Sequence, residues 1–375
     1  MGALWVMVIV AFGTAALLCF ALADPRTPWF MADEANERSL HDGVKPRGGG
    51  LGIIFATVMG LAVAGYASYV AQHFAPVLLG ALIVATVSLL DDWRGVNAIW
   101  KGSAHAVAAV VVVVYAAAPG HWSLPALEFQ VPTVLGAAVA AVALVWMTNL
   151  YNFMDGVDGF AGGMGLIGFG MLALLGAAVG AWHFALLCLA VAAACAGFLT
   201  ANFPPARIFM GDVGASTMGF LAGTMILWAH VHMIFPWWVG AMVFSPFVAD
   251  ATVTLARRAL AREKVWQAHR SHFYQRLVGL GWSHTRIVCC GYLLMGVSAG
   301  MALWAHVTGP LVQWFLVTLL ALTYTSLMLL VTGMERRQGL DLARSDSVDP
   351  DPAVAAPGAA ELGGTDPFER DPFER

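Results

Sequence analysis

Apolar residues in this chain come in long unbroken blocks, and polar residues are confined to the gaps between them. Eleven such blocks can be drawn: Gly2–Ala23, Gly48–Ala67, Ala75–Leu90, Ser103–Ala118, Thr133–Met147, Phe160–Val179, Ala181–Leu199, Gly214–His232, Trp237–Leu255, Ile287–His306 and Leu311–Thr332. Most approach the roughly 20 residues that an α-helix needs to cross a bilayer. The pattern predicts an all-α, polytopic integral membrane protein of about 11 transmembrane helices within residues 1–335.

Composition sharpens this picture. With 59% hydrophobic and 11% charged residues and a mean hydropathy of +0.75, the chain is too apolar for a soluble domain, in which about 25% of residues are charged. The first block ends in Ala21-Leu22-Ala23 like a cleavable leader, but no basic residue precedes it, so it reads as a retained helix that starts outside. From that start, alternate gaps hold all 19 Lys and Arg residues, which predicts an outside amino terminus and a cytoplasmic carboxyl terminus. The five cysteines lie in or beside apolar blocks without metal-ligand spacing and read as small core residues. Residues 336–375 turn acidic and end in a tandem DPFER-DPFER, a composition expected to be a disordered cytoplasmic tail.

The candidate chemistry lies in the inner gaps. In TNLYNFMDGVDGFAGG, residues 148–163, Asn149, Asn152, Asp155 and Asp158 recur every third position, which in a helical turn makes one slanting polar ridge. Gly156, Gly159, Gly162 and Gly163 beside it are expected to let a ligand approach the backbone; the competing reading is a wet connecting loop. Asp91-Asp92 ends the third block, where paired carboxylates call for a metal or a basic ligand. Gly48, Gly49 and Gly50 open the second block beside Lys45 and Arg47, as an anion site at a helix start would. A plain anchor on anionic headgroups would look the same. Asp212, between Gly211 and Val213-Gly214, suits a hard-cation ligand or an ordinary N-cap. Asp250 needs a partner, and Arg257 and Arg258 are its nearest charges in sequence. His269, Arg270, His272, Tyr274 and Arg276 could bind a nucleotide or its phosphates, or form a surface amphipathic helix.

All these clusters lie on one side, whereas a transporter tends to keep its ionisable groups near mid-membrane. An enzyme joining a phosphate-bearing donor to a lipid fits better, with an ion-coupled transporter as the competing class. Asp91-Asp92, the N-x-x-N-x-x-D-G-x-D-G run from Asn149 to Gly159, F-x-G-D-x-G from Phe209 to Gly214, and R-x-H at Arg270–His272 resemble the motifs of the polyprenyl-phosphate N-acetylhexosamine-1-phosphate transferases, glycosyltransferase family 4. NERSLHDGVKPRGGG, residues 36–50, and HRSHFYQRLVGLGWSHTR, residues 269–286, are most similar to the bacterial WbpL-type branch that initiates O-antigen. The phospho-N-acetylmuramoyl-pentapeptide branch is the alternative, against which Phe273, Tyr274 and Gln275 count, since they stand where many relatives carry histidines.

The resemblance implies transfer of an amino-sugar 1-phosphate from a UDP-sugar to undecaprenyl phosphate, with release of UMP. It places the site at the cytoplasmic face of a bacterial inner membrane. It implies Mg²⁺, with Mn²⁺ a candidate substitute, held by Asp212 and Asp92. Asp91, Asp92, Asp155 and Asp158 are the implied catalytic group. Lys45, Arg47, Asn149, Asn152, Phe209, Arg270 and His272 are the implied substrate contacts. No nucleic acid is expected as a partner, and a homodimer is left open.

Overall fold

The computed structural model describes residues 2–27, 31–33, 45–116, 119–264 and 269–340. Each apolar block becomes helix. In chain order these are α1 (Gly2–Leu22), α2 (Gly49–Val63), α3 (Ala67–Arg94), α4 (Ala98–Tyr115), α5 (Thr133–Phe153), α6 (Phe160–Ala178), α7 (Trp182–Asn202), α8 (Gly211–Val231), α9 (Trp237–Val243), α10 (Ser245–Leu260), α11 (Phe273–Gly279), α12 (His284–His306) and α13 (Pro310–Gln338). Two small antiparallel hairpins complete it: β1 (Met31–Asp33) with β2 (Lys45–Arg47), and β3 (His121–Leu124) with β4 (Leu127–Gln130). The chain is an all-α polytopic membrane protein. Of the expected tail, residues 336–338 belong to α13, and residues 341–375 with the DPFER repeat lie outside the described residues, as does Asn36–Gly43 of the first inner gap.

Not all of the expected eleven spans are long and apolar enough by themselves to cross a bilayer. Among the described residues, eight helices are long and apolar enough to cross a bilayer, or nine if α9 and α10 form one bent span. The 15-residue α2 is short for a span. α8 has 21 residues but opens on Asp212 and is buried along nearly its whole length, so it need not be as apolar as a lipid-facing helix. The ninth block is not a single rod. It breaks at Phe244 and turns by 86° between α9 and α10. Pro246 has no N–H to donate to the carbonyl of Met242. That carbonyl is satisfied instead by the Ser245 hydroxyl, at 2.6 Å, which also meets the Tyr324 hydroxyl at 2.7 Å.

α6, α7 and α8 form the centre, with α1 and α2 packed on α7 and with α3 and α5 packed on α8. The closest approach sets the geometry of the site. A Cβ on Gly50 would stand 2.2 Å from the Cα of Gly214, so the starts of α2 and α8 touch backbone to backbone, and only glycine allows it. The ends of α3, α5 and α10 and the starts of α4, α8 and α11 then meet at one end of the bundle, with the β3–β4 hairpin at the other.

Candidate active site at one end of the bundle

Asp91 and Asp92 end α3 but do not act as a pair. Asp92 is fully buried and places one oxygen 3.0 Å from the Asp212 N–H and the other 2.9 Å from the Val213 N–H. It therefore caps the start of α8 from another helix, where the dipole favours a negative charge, with Arg47 3.9 Å away. Asp91 turns the other way. It accepts from the Val96 N–H at 2.6 Å and from the Lys101 ammonium at 2.8 Å. Lys101, in the first turn of α4, also donates to Asp212, so one ammonium bridges two carboxylates. Asn152 donates to the other oxygen of Asp212 at 2.9 Å. Asp212 is thus not the cap of its own helix, because Asp92 takes that role and leaves the Asp212 carboxylate aimed at the site.

The expected four-residue ridge is broken. α5 ends at Phe153, so only Asn149 and Asn152 are on the helix, and Asn149 bonds back to the Val145 carbonyl at 2.7 Å instead of facing the site. Asp155 and Asp158 sit in the following turn and part company. Desolvation, then the charges of Asp212, Asp92 and Asp158, push the Asp155 carboxyl well above the usual range. Such a group calls for a cation. Asp158 accepts from the Ala206 N–H at 2.9 Å, with the His284 imidazole at 3.6 Å and the Lys45 ammonium at 3.9 Å. Burial raises its pKa, but His284, the Ala206 N–H and Lys45 outweigh that and hold it below the usual carboxylate value.

The glycines here serve packing rather than ligand approach. A Cβ on Gly156 would meet the Tyr274 hydroxyl at 2.2 Å, and one on Gly163 would meet the Tyr292 ring at 1.9 Å. The start of α2 is likewise not an open anion site. The N–H groups of Gly49 and Gly50 bond to the carbonyls of Phe209 and Met210 at 2.9 and 2.8 Å. Phe209 in turn donates its N–H to the Pro46 carbonyl at 2.9 Å and holds its ring 5.2 Å from the Lys45 ammonium. Phe209 therefore sets the position of Lys45.

Asp250 does not pair with Arg257 or Arg258. It caps α11, accepting from the N–H groups of Phe273 and Tyr274 at 2.9 and 3.1 Å, with His272 Nδ1 3.3 Å away. Arg258 bonds to Glu263 and Arg257 to the Ser271 carbonyl. The His272 ring is buried between those of Phe153 and Tyr274, 6.1 and 5.9 Å away, while Arg270 is half-buried in the same turn. The Tyr274 hydroxyl donates to the Phe153 carbonyl at 2.9 Å, docking α11 on the end of α5 beside Asn152.

Comparison with known proteins bears on what this cluster is. A family model, glycosyl transferase family 4, matches residues 74–230. The decaprenyl-phosphate N-acetylglucosaminephosphotransferase of Mycolicibacterium smegmatis is 30% identical over 300 residues, covering 70% of this chain and 72% of that protein. The chain belongs to this family. A Bacillus subtilis (strain 168) protein named "Probable undecaprenyl-phosphate N-acetylglucosaminyl 1-phosphate transferase" is 27% identical over 266 residues, 70% of this chain and 74% of its own length. A Staphylococcus aureus (strain JH9) phospho-N-acetylmuramoyl-pentapeptide-transferase is 29% identical over 147 residues, 39% of this chain and 44% of its own.

In this family 4 member the matched stretch contains Asp91, Asp92, Lys101, Asn149 to Asp158 and Asp212, but neither Lys45 nor His272. Two residues enter that motif spacing did not flag. Lys101 counts in the sequence only as one more inner charge, although it is a lone cation at a helix start ten residues after Asp91. His284 shares its segment with other polar residues and gives no separate signal. The cluster sets the carboxylates of Asp91, Asp92, Asp155 and Asp212 against the cations Lys101 and Arg47, an excess of negative oxygen donors that fits a hard divalent cation. Among the described residues no three acidic, histidine or cysteine side chains already stand in ligating geometry.

Proposed function

We propose that the chain transfers an N-acetylated amino-sugar 1-phosphate from a UDP-linked donor to a polyprenyl phosphate, releasing UMP, at the cytoplasmic face of a bacterial inner membrane. The observation that carries the reading is Asp212: it is capped into place by Asp92, bridged through Lys101 to Asp91, and held by Asn152. The names of the B. subtilis and M. smegmatis relatives supply the acceptor class, a polyprenyl phosphate, and the amino-sugar. We assign the pathway to cell-envelope polysaccharide, with the O-antigen-initiating branch as the finer reading.

Mg²⁺ would be held by Asp212, whose carboxylate is aimed at the site, and by Asp155, whose buried carboxyl has no paired cation of its own among the described residues, while Asp92 supports Asp212 from the start of α8. When bound, it would neutralise phosphate charge and align donor and acceptor. The chain's own residues orient the reactants around it. Lys101 sets the Asp91 and Asp212 carboxylates a fixed distance apart, Asn152 fixes the rotamer of Asp212, and Lys45 stands at the rim over Phe209 to receive phosphate. A phosphomonoester has a second pKa near 6, so the acceptor phosphate is already mostly dianionic at neutral pH and attacks without a strong general base.

The muramoyl-pentapeptide alternative is disfavoured by the residues in place of the histidine run. Phe273 lies beneath the Arg276 guanidinium at 4.4 Å, Tyr274 docks on α5, and Gln275 closes a capping box with His272, so all three build the start of α11. The test is mass spectrometry of products from the purified protein with undecaprenyl phosphate, Mg²⁺ and a panel of UDP-amino sugars. A lipid diphosphate-sugar and UMP are expected. Flux of lipid or ions in proteoliposomes without UMP release would replace this reading with transport.

A further inference from the structure

Toward the middle of the bundle from the charged cluster, three helices carry polar side chains that no group among the described residues satisfies. Ser88 lies one turn from Asp92 on α3, His105 one turn from Lys101 on α4, and Thr217 just over one turn from Asp212 on α8. The Ser88 hydroxyl, both ring nitrogens of His105 and the Thr217 hydroxyl are buried, and none has a hydrogen-bond partner among the described residues. The imidazole is 1% exposed, and Lys101 and Asp212 are the charges it feels. One to two turns further in, the same faces become apolar: the Phe220 ring and the Ala108 carbonyl converge on Gly80, and Val84 and Val112 join Phe220 in a separate hydrophobic cluster. On each helix the polar position therefore lies between the ion pairs on one side and hydrocarbon on the other.

Burying an imidazole with neither nitrogen bonded is costly, and leucine or phenylalanine would fill the same space without that cost. The partner that fits a small polar layer between helices is water. Lys101 supplies the other end of such a link. Its ammonium has three donors, of which Asp91 and Asp212 take two. We propose that His105 is a positioning residue for Lys101, accepting the third ammonium proton through water held with Ser88 and Thr217 and so fixing the bridge between Asp91 and Asp212. The proposal rests on reading that cluster as the transfer site.

Two readouts test it, and only one of them needs activity. The chain has three lysines, Lys45, Lys101 and Lys264, so amine-reactive labelling of the full-length protein, read by mass spectrometry, reports Lys101 against two internal controls. In His105→Phe, Lys101 should label several-fold faster while Lys45 and Lys264 keep their rates. kcat should fall about tenfold with the donor KM nearly unchanged, the scale typical of losing a supporting hydrogen bond behind a site residue. His105→Gln, which retains a hydrogen-bonding end, should restore both. His105→Phe that folds and shows wild-type labelling and kcat overturns the proposal. So does His105→Gln that melts like the wild type yet restores neither. Should His105→Phe fail to fold, the double variant Ser88→Ala/Thr217→Val must raise Lys101 labelling, and an unchanged rate there is equally decisive against it. If the wild type transfers no sugar phosphate from any donor, the transfer reading fails, and labelling alone decides the positioning.

Discussion

At the residue scale, neighbours in sequence take different tasks because each belongs to a different interface. Asp91 and Asp92 look like a reactive pair, yet Asp92 is fixed by two backbone N–H groups at the start of α8 and Asp91 by Lys101 and the Val96 N–H. A carboxylate so engaged is a poor nucleophile, since attack would require it to leave those donors. Direct attack by the lipid phosphate is therefore expected over a phospho-sugar enzyme. Protein stripped of lipid should show no sustained exchange of labelled UMP into the UDP-sugar; steady exchange would mean the sugar phosphate can rest on a side chain. Asp212 gives a second expectation. Asp212→Asn keeps the contact to Asn152 but removes the charge that Lys101 bridges. Turnover should fall by at least about a hundredfold at any Mg²⁺ concentration, with the melting midpoint in detergent little changed, and near-wild-type turnover would remove Asp212 from the site.

At the element scale, the helices were legible in the sequence and their joints were not. Apolar blocks set by the bilayer mark every long helix, and the Asp, Asn and Gly motifs point to the end where the site forms. What spacing could not show is which distant group each polar residue meets. The Lys101–Asp212 bridge spans 111 residues, and the three-residue ridge dissolves because α5 ends before its second half. The glycines misled for a related reason: they are small because other helices press on them, which a single segment cannot reveal. The joint of α11 yields a prediction. Arg276 is buried and bonds to Glu335 and Thr332 of α13, so the end of α13 anchors the segment that carries His272. Removing one partner of a buried pair leaves an unpaired charge, at a cost of about 3–5 kcal/mol. Glu335→Ala should lower the melting midpoint and raise the donor KM, whereas Arg276→Met with Glu335→Leu should recover much of the stability. A double variant no more stable than Glu335→Ala would show that the pair is not the anchor.

At the scale of the whole molecule, charge separates the two sides. All 19 Lys and Arg residues fall in gaps that alternate along the sequence; of the described ones, Lys45, Arg47 and Lys101 stand at the end that carries Asp212, whereas the β3–β4 hairpin at the far end carries Glu128 and no Lys or Arg. Cationic loops are retained on the cytoplasmic side, and the nucleotide-sugar donor proposed above would be made there, so the charge pattern and the proposed chemistry agree on one orientation. The structure also decides where a probe must stand. Ser271 is buried, and so is Pro125, so a cysteine at either would stay silent on any topology; Glu128 and Arg262 are exposed. Cys289 and Cys290 are exposed as well and are removed first. In that background, Glu128→Cys should react with an impermeant thiol reagent added to intact cells. Arg262→Cys should react only after permeabilisation, and the reverse pattern would place the carboxylate cluster on the outer face, where no UDP-sugar could reach it.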